Sequence, residues 1–301
     1  MTTHETVLKN EAIDLLAIKP DGIYVDGTLG GGGHAQAILA KLDKGFLYAF
    51  DRDQYAIRQA SETLRSFSNK TIIQSNFKDI KHHLQTQGVT KIDGLLLDLG
   101  LSSFQIDDAD RGFTYLQDTR LDMRMDDRQT LTAADIVNTW SKEELARIFF
   151  SYGEERNSFK IADQIIKHRP LQSTAALVAI TDRINKDVKG HSAKRVFQAL
   201  RIAVNDELSA LEMVLADAVD LLKPGGRLVV ITFHSLEDRI VKHFFKAESE
   251  HHIPKNLPII HLPKTRLSVI TRKPIYPSEF ELQHNPRSRS AKLRAAERNE
   301  P

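Results

Sequence analysis

The chain has 301 residues and a formal net charge of +2, with 41% hydrophobic and 27% charged residues. This balance is typical of a soluble globular protein and excludes a disordered one. The lack of cysteine excludes disulfides, zinc–thiolate sites and a cysteine nucleophile. The N-terminus has no apolar signal-peptide core, and no apolar run approaches a membrane span. We therefore expect a cytoplasmic protein without a membrane partner.

The first hundred residues alternate short apolar runs with helical patterns. Strands are predicted at 23–25, 46–50, 71–73 and 92–97, and helices at 7–18, 35–42, 54–64 and 80–84. Apolar strands separated by helices indicate a parallel sheet that is covered on both faces.

A helical stretch interrupts this alternation. No convincing strand is found between Asp108 and Lys194, where Thr132 precedes an apolar run and Ser141 with Glu144 fits a capping box. Further helices are predicted at 160–167 and 175–184. Residues 108–194 are therefore predicted to form an inserted helical domain.

The α/β pattern then resumes. One long helix is predicted over 193–222, ended by Pro224 and two glycines. A buried strand at 227–232 and a helix after Ser235 follow. Two parts of one sheet domain, residues 1–107 and 195–301, therefore flank the insertion.

The strongest local signal is a glycine-rich loop after the first strand. Asp26 precedes five glycines in seven residues, from Gly27 to Gly33. Glycine lets the backbone turn tightly and lets a ligand approach the main chain. A plain glycine-rich turn is the alternative interpretation, because the loose match to the dinucleotide-binding fingerprint is weak by itself.

Three acidic residues near the loop indicate which ligand it binds. Asp26, Asp51 and Asp98 each follow or end a predicted strand, at the edge where open α/β sheets bind ligands. Asp51 suits a ribose, whether of NAD or of S-adenosylmethionine (SAM). Asp26 would repel a pyrophosphate but attract the ammonium and sulfonium of SAM. Each acid alone is also explained as a cap or surface group, but together they favour SAM. We therefore predict a Rossmann-like SAM-dependent methyltransferase sheet with an inserted all-helical domain.

Asp98 is the candidate catalytic residue, since it opens the polar turn that ends the fourth strand. Carbon-5 methylation of a pyrimidine generally needs a thiolate adduct, which this chain cannot supply. Methylation of an exocyclic amine needs no covalent adduct, but acceptors aimed at its N–H groups help to localise the nitrogen lone pair. The alternative, that Asp98 only binds the cofactor, stays open.

The C-terminal region is basic, with nine Lys/Arg against three Asp/Glu from Lys264 to Arg298. Such an excess suits a polyanionic partner, although a solvated tail also explains it. Arg287, Arg289 and Arg294 are the candidate RNA contacts.

Many ordered motifs resemble one family, the RsmH (MraW) family of bacterial methyltransferases that modify the N4 amine of a cytidine in small-subunit ribosomal RNA. The resemblance covers nearly the whole chain. It is carried by His4–Leu8, the loop from Asp26 to His34, Leu95–Ser103, Arg111–Phe113, Leu121–Met125, Tyr152–Arg156, Arg195–Arg201, Phe233–Arg239 and Asn285–Ser290.

This resemblance implies specific contacts. SAM is expected to bind Gly32, Gly33, His34, Asp51, Phe77, Asp98 and Gln105. In that arrangement Phe77 lies against the adenine and Gln105 closes the pocket. The implied substrate is 16S rRNA in the small ribosomal subunit; no DNA partner is expected, and the oligomeric state stays open. The chain departs from the family pattern at Phe104 and at Thr119-Arg120, which affects the loop conformation more than the reaction class.

Other features have competing interpretations. Ser235 is explained as a helix N-cap completed by Asp238, or as a residue of the catalytic edge. One side of the long helix faces RNA, the insertion or solvent; its members are Arg195, Gln198, Arg201 and Asn205. The acids and arginines of 107–128 are best explained by mutual salt bridges. The two His-His pairs lack further ligands nearby, so we expect no metal.

Two rival functions remain. The first is an NAD-dependent oxidoreductase, which the position of Asp26 disfavours. The second is a catalytically silent ribosome-assembly factor that keeps the fold, which Asp98 and the intact glycine loop disfavour.

Overall fold

A computed structural model describes residues 5–251 and 264–300. The chain forms two compact units. The first unit joins Met1–Gly100 to Ser209–Pro301, and the second is Leu101–Leu208. None of the described helices is long and apolar enough to cross a membrane.

The first unit is built on a seven-stranded sheet. Its strands are β1 (Ile23–Asp26), β2 (Phe46–Asp51), β3 (Lys70–Gln74), β4 (Ile92–Asp98), β5 (Leu222–Thr232), β6 (Leu267–Val269) and β7 (Lys292–Arg298). The spatial order is β3-β2-β1-β4-β5-β7-β6. The five neighbouring strands β3, β2, β1, β4 and β5 are parallel. Strand β7 is antiparallel to both β5 and β6.

Helices cover both faces of this sheet. They are α1 (Lys9–Leu16), α2 (Gly33–Leu39), α3 (Gln54–Thr63), α4 (Ile80–Thr86), α12 (Ser235–Ser249) and α13 (Glu279–His284), with most of α11 (Glu207–Leu221). In β4, Leu95 and Leu97 join one apolar cluster while Leu96 joins the other, as a pleated strand buried on both faces requires. The predicted Rossmann-like fold is confirmed.

The C-terminal segment is more ordered than its composition indicates. The sequence analysis predicted only a basic segment here, but β7 pairs along β5 from Arg227↔Glu297 to Thr232↔Lys292. Its small alternating residues, Ala295 and Ala296, are buried on opposite faces of the sheet. The charged residues that flank them hide this pattern, because Lys292 and Arg294 pair with Asp238 and Glu297 pairs with Arg227.

The second unit is helical in the part that the structure describes. Its helices are α5 (Ser103–Asp107), α6 (Ala133–Thr139), α7 (Lys142–Gly153), α8 (Ser158–Lys167), α9 (Thr174–Ile184) and α10 (Lys194–Asn205). Thr132 caps α6, and Ser141 with Glu144 forms the predicted capping box of α7. The predicted salt bridges of the preceding loop are also confirmed, as Asp122 pairs with Arg124 and Asp126 with Arg128.

The predicted helix over 193–222 is wrong as a single helix. It breaks at Asp206, whose φ of 51° is left-handed. Just before the break, the Asn205 side chain donates to the Met123 carbonyl at 2.7 Å and accepts from the Met125 N–H at 2.8 Å. These long-range bonds tie α10 to the loop of the second unit. The structure therefore places α10 in that unit, whereas the prediction assigned residues from 195 onward to the sheet domain.

The structure also shows what the polar side of α10 contacts. Gln198 donates to the Tyr152 carbonyl at 2.8 Å, and Arg201 pairs with Glu207 at 2.9 Å. Of the three interpretations left open, contact with the insertion is the one that Gln198 and Asn205 support, whereas Arg201 pairs with the first residue of α11.

Candidate active site

The glycine-rich loop joins β1 to α2 and turns through left-handed conformations. Gly30 has φ 51° and Gly32 has φ 85°, which side chains with a Cβ rarely adopt. Leu29 N–H donates to the Phe50 carbonyl at 2.8 Å, and Gly30 N–H donates to Asp51 Oδ2 at 2.8 Å. The loop is thus fastened to the end of the neighbouring strand β2.

Asp51 organises the loop and keeps acceptor capacity. Its Oδ1 accepts from the Asp53 N–H at 2.9 Å, and its Oδ2 accepts from Gly30. A carboxylate has about four acceptor positions, so two remain for other donors. Burial raises the pKa of Asp51, and the two backbone N–H groups oppose that rise. The predicted ribose acceptor therefore lies on the loop with acceptor positions to spare.

Asp26 is a fully buried acid at the start of the loop. Its Oδ1 accepts from the Thr28 N–H at 3.0 Å, and its Oδ2 has no hydrogen-bond partner among the described residues. Burial raises the pKa of Asp26 to about 7, and the nearby Asp51 adds to the rise. A buried acceptor without a partner is costly, so a donor from outside the chain would satisfy it.

Asp98 ends β4 at the same edge of the sheet, with its side chain 24% exposed. Its backbone N–H donates to Thr28 Oγ1 at 2.6 Å, which joins this strand to the glycine loop. In the described part of the chain, Asp98 Oδ1 lacks a hydrogen-bond partner. Burial raises the pKa of Asp98 well above its usual value, and the facing carboxyls of Asp26, Glu237 and Glu281 raise it further.

His34 stands between the loop and Asp98. It lies in the first turn of α2 and is only 4% exposed. Its Nε2 lies 3.1 Å from the Val7 carbonyl, and its Nδ1 lies 3.6 Å from Asp98 Oδ2. Sequence reasoning assigned His34 to the cofactor but found no signal for its contact with Val7, which lies on a distant turn.

Two further predicted contacts have different surroundings. Phe77 begins a short 3-10 turn after β3, and its Cβ lies 3.4 Å from the position of a Cβ built on Gly27. It therefore packs beside the loop. Gln105 belongs to the second unit, where its side chain accepts from the Ser102 N–H at 3.0 Å in a capping box.

Comparison with known proteins identifies the family. The model of the MraW methylase family matches residues 1–299. The chain belongs to the MraW methylase family. Ribosomal RNA small subunit methyltransferase H 1 of Acholeplasma laidlawii is 61% identical over 98% of this chain and 99% of its own. The corresponding protein of Onion yellows phytoplasma is 54% identical over 98% of this chain and 97% of its own. The family resemblance drawn from the motifs is confirmed.

The three candidate arginines of this MraW-family chain differ in exposure. Arg287 and Arg289 are exposed on the 3-10 turn Pro286–Ser290. Arg294 lies in β7, is 6% exposed and donates to Asp238 at 2.7 and 3.3 Å. A buried arginine that holds a carboxylate is poorly placed to contact a phosphate. The sequence interpretation of Arg294 is therefore corrected to a structural ion pair.

The start of α12 in the MraW-family chain also differs from the prediction. The N-cap is His234 rather than Ser235, and Glu237 rather than Asp238 closes the capping box. Glu237 Oε2 accepts from the Phe233 N–H at 2.8 Å and from the His234 N–H at 3.2 Å. Asp238 is drawn instead to Lys292 and Arg294 of β7, which the sequence pattern does not reveal.

The raised pKa of Asp26 predicts a pH-dependent difference in stability. A carboxyl whose pKa is about 7 in the folded protein but about 3.9 in the unfolded chain binds its proton more tightly in the folded state. The stability that proton binding by Asp26 contributes is thus lost as the pH rises toward 7. Asp26→Asn cannot ionise, although its amide oxygen can still accept from Thr28. Relative to this variant, the wild type should lose about 2 kcal/mol of unfolding free energy between about pH 5.5 and about pH 8.5.

Denaturant titrations of the ligand-free proteins at the two pH values measure this difference. Asp43→Asn is the matched control, because Asp43 is an exposed acid before β2. The control should follow the wild type. A stability difference between wild type and Asp26→Asn that stays constant with pH would contradict the buried, protonated state of Asp26.

Proposed function

We propose that this protein transfers a methyl group from SAM to the exocyclic N4 amine of a specific cytidine in 16S rRNA of the small ribosomal subunit, in the cytoplasm. The observation that carries the proposal is the convergence of Asp26, Asp51 and Asp98 at one sheet edge, with two buried acceptor atoms left without partners among the described residues. The names of the relatives, rRNA small subunit methyltransferases, support the substrate class.

The carboxyl groups of the site fit SAM better than they fit a dinucleotide. The carboxyls of Asp26, Glu237 and Glu281 raise the pKa of Asp98 by their negative charge. Such a site attracts an ammonium and a sulfonium and repels a pyrophosphate. An NAD-dependent oxidoreductase would need positive rather than negative charge here to bind the pyrophosphate of its cofactor. We propose that Gly32, Gly33, His34 and Phe77 line the SAM site and that Asp51 binds the ribose; the expected contact of Gln105, which lies in the second unit, stays a prediction.

Asp98 is proposed as the catalytic residue. SAM, when bound, supplies an electrophilic methyl group. The carboxylate of Asp98 accepts a hydrogen bond from the amine N–H and so helps its lone pair to localise on nitrogen. The same carboxylate then receives the proton that the methylated amine loses. Direct transfer to nitrogen requires no enzyme nucleophile, which agrees with a chain without cysteine.

Methylation of unmodified small subunits tests the reaction. Incubation with labelled SAM, followed by RNA digestion, should place the label in N4-methylcytidine. Asp98→Asn should lower kcat at least about a hundredfold, since an amide cannot accept the proton, whereas Asp43→Asn should match the wild type. Label in another nucleotide contradicts the proposed site, and no label supports the silent assembly factor.

The SAM site is tested separately by Asp51→Ala. Losing the proposed ribose acceptor and the anchor of Gly30 should weaken SAM binding by about 1–3 kcal/mol in calorimetry. Asp43→Ala changes an exposed acid near the other end of the same strand and should bind SAM normally. Unchanged affinity in Asp51→Ala, or tight binding of NAD by the wild type, contradicts the proposed site.

The RNA surface is proposed at Arg287 and Arg289. If both contact phosphates, the double Arg287→Ala/Arg289→Ala variant should bind the substrate more weakly. Its plot of log affinity against log salt should be shallower by about 1.4 to 1.8, because about 0.7 to 0.9 of the slope comes from each phosphate contact. The matched control is Arg58→Ala/Arg65→Ala, which removes two exposed arginines elsewhere. Equal slopes for the two double variants contradict this surface.

A further inference from the structure

Residues near the start of the described chain meet the C-terminal region beside the glycine loop. Residues 5–8, here called the N-terminal segment, are held by the C-terminal region at two points. Asn285 Nδ2 donates to the Glu5 carbonyl at 3.0 Å, and the Leu8 N–H donates to Glu281 Oε1 at 2.9 Å. Glu5 and Leu8 belong to the motif His4–Leu8, and Asn285 begins the motif Asn285–Ser290; none of these three residues has a role so far.

The N-terminal segment in turn contacts the loop. A Cβ built on Gly33 would lie 1.9 Å from Thr6 Oγ1, so a residue larger than glycine cannot fit there unless the segment moves. The next residue, His34, points its Nε2 at the Val7 carbonyl at 3.1 Å. The segment therefore packs on the loop at two consecutive residues.

The contact with Val7 sets the proton positions on His34. A carbonyl oxygen can only accept a hydrogen bond, so Nε2 must carry the proton. In the neutral imidazole, Nδ1 then has a lone pair, and it lies 3.6 Å from Asp98 Oδ2. This distance exceeds a hydrogen bond by a few tenths of an ångström, which a small ring movement closes.

We propose that Glu281 and Asn285 are positioning residues for methyl transfer: through the N-terminal segment they hold His34 in the orientation in which its Nδ1 accepts a proton from Asp98. The inference rests on the proposed function. The amine nitrogen bonds to the methyl carbon while the carbon–sulfur bond breaks, and its electron pair stays on sulfur. The amine proton passes to Asp98, then to His34 Nδ1, and finally to water.

Glu281 has two separable effects on this path. Its Oε1 holds Leu8, and its charge faces Asp98 together with the carboxyls of Asp26 and Glu237. Glu281→Gln keeps an oxygen that can accept from Leu8 but removes the charge. Glu281→Ala removes both. Glu279, an exposed acid on the same helix α13, supplies the control Glu279→Ala.

Two measurements test the proposal on the full chain. Nitrogen-15 NMR of histidine-labelled protein reports the protonation pattern of the His34 ring without any RNA, with the signal assigned by its loss in His34→Gln. The pH profile of kcat on small subunits reports the ionisation of Asp98 in the working enzyme. Glu281→Ala, Glu281→Gln, Asn285→Ala and Glu279→Ala are compared with the wild type.

In Glu281→Gln the His34 signal should stay at its wild-type position. The acid limb of kcat should move to lower pH, because one fewer negative charge opposes the ionised form of Asp98. In Glu281→Ala and Asn285→Ala the His34 signal should shift, with kcat at least about tenfold lower for Glu281→Ala. Glu279→Ala should match the wild type in both measurements.

The proposal is overturned if the His34 signal is unmoved in both Glu281→Ala and Asn285→Ala, or if kcat falls equally in Glu281→Gln and Glu281→Ala without a shift of the pH profile. If Glu281→Ala does not fold, an unmoved His34 signal in Asn285→Ala, or an unshifted pH profile in Glu281→Gln, overturns the proposal. Failure of the proposed function looks different, since the wild type itself would then not produce N4-methylcytidine, while the NMR comparison would still be valid.

Discussion

The structure depends on one electrostatic constraint, the concentration of carboxyl groups at the carboxyl edge of a parallel sheet. Parallel pairing of β1, β2 and β4 brings Asp26, Asp51 and Asp98 to the same edge whatever their distance along the chain. Water cannot solvate these groups fully, so their ionised forms are disfavoured until a cation or a donor arrives. Such an edge suits a positively charged ligand, which agrees with the proposed SAM site, and its uncompensated carboxyls lower the stability of the ligand-free protein.

The same residues also hold the glycine loop in place. Asp51 accepts from Gly30 and Asp53, Asp26 accepts from Thr28, and Thr28 accepts from the backbone of Asp98. Asp26 thus accepts one main-chain hydrogen bond and Asp51 accepts two, and both carboxylates keep further acceptor positions. This shared use explains why a loop with so many glycines, which is costly in conformational entropy, holds one conformation.

Much of this arrangement could be predicted from local patterns. Apolar runs such as Leu95–Leu97 read directly as a buried parallel strand, and Thr132 and Ser141 read as helix caps, because those signals lie within one element. Features that depend on distant partners could not be predicted. The break at Asp206 follows from bonds of Asn205 to residues about 80 positions away, and the burial of Arg294 follows from pairing with Asp238.

The position of the N-terminal segment shows why the rest of the candidate site could not be predicted from local sequence patterns. Gly33 resembles its neighbouring glycines in the sequence, yet its lack of a side chain is required by Thr6 rather than by its own φ angle. Residues 5–8 are in turn anchored by Glu281 and Asn285, near the opposite end of the chain. In the arrangement proposed above, the ring orientation of His34 thus depends on residues that are distant along the chain. The glycine loop is itself fastened to Phe50, Asp51 and Asp98, so its surroundings are also set by residues that lie elsewhere in the chain.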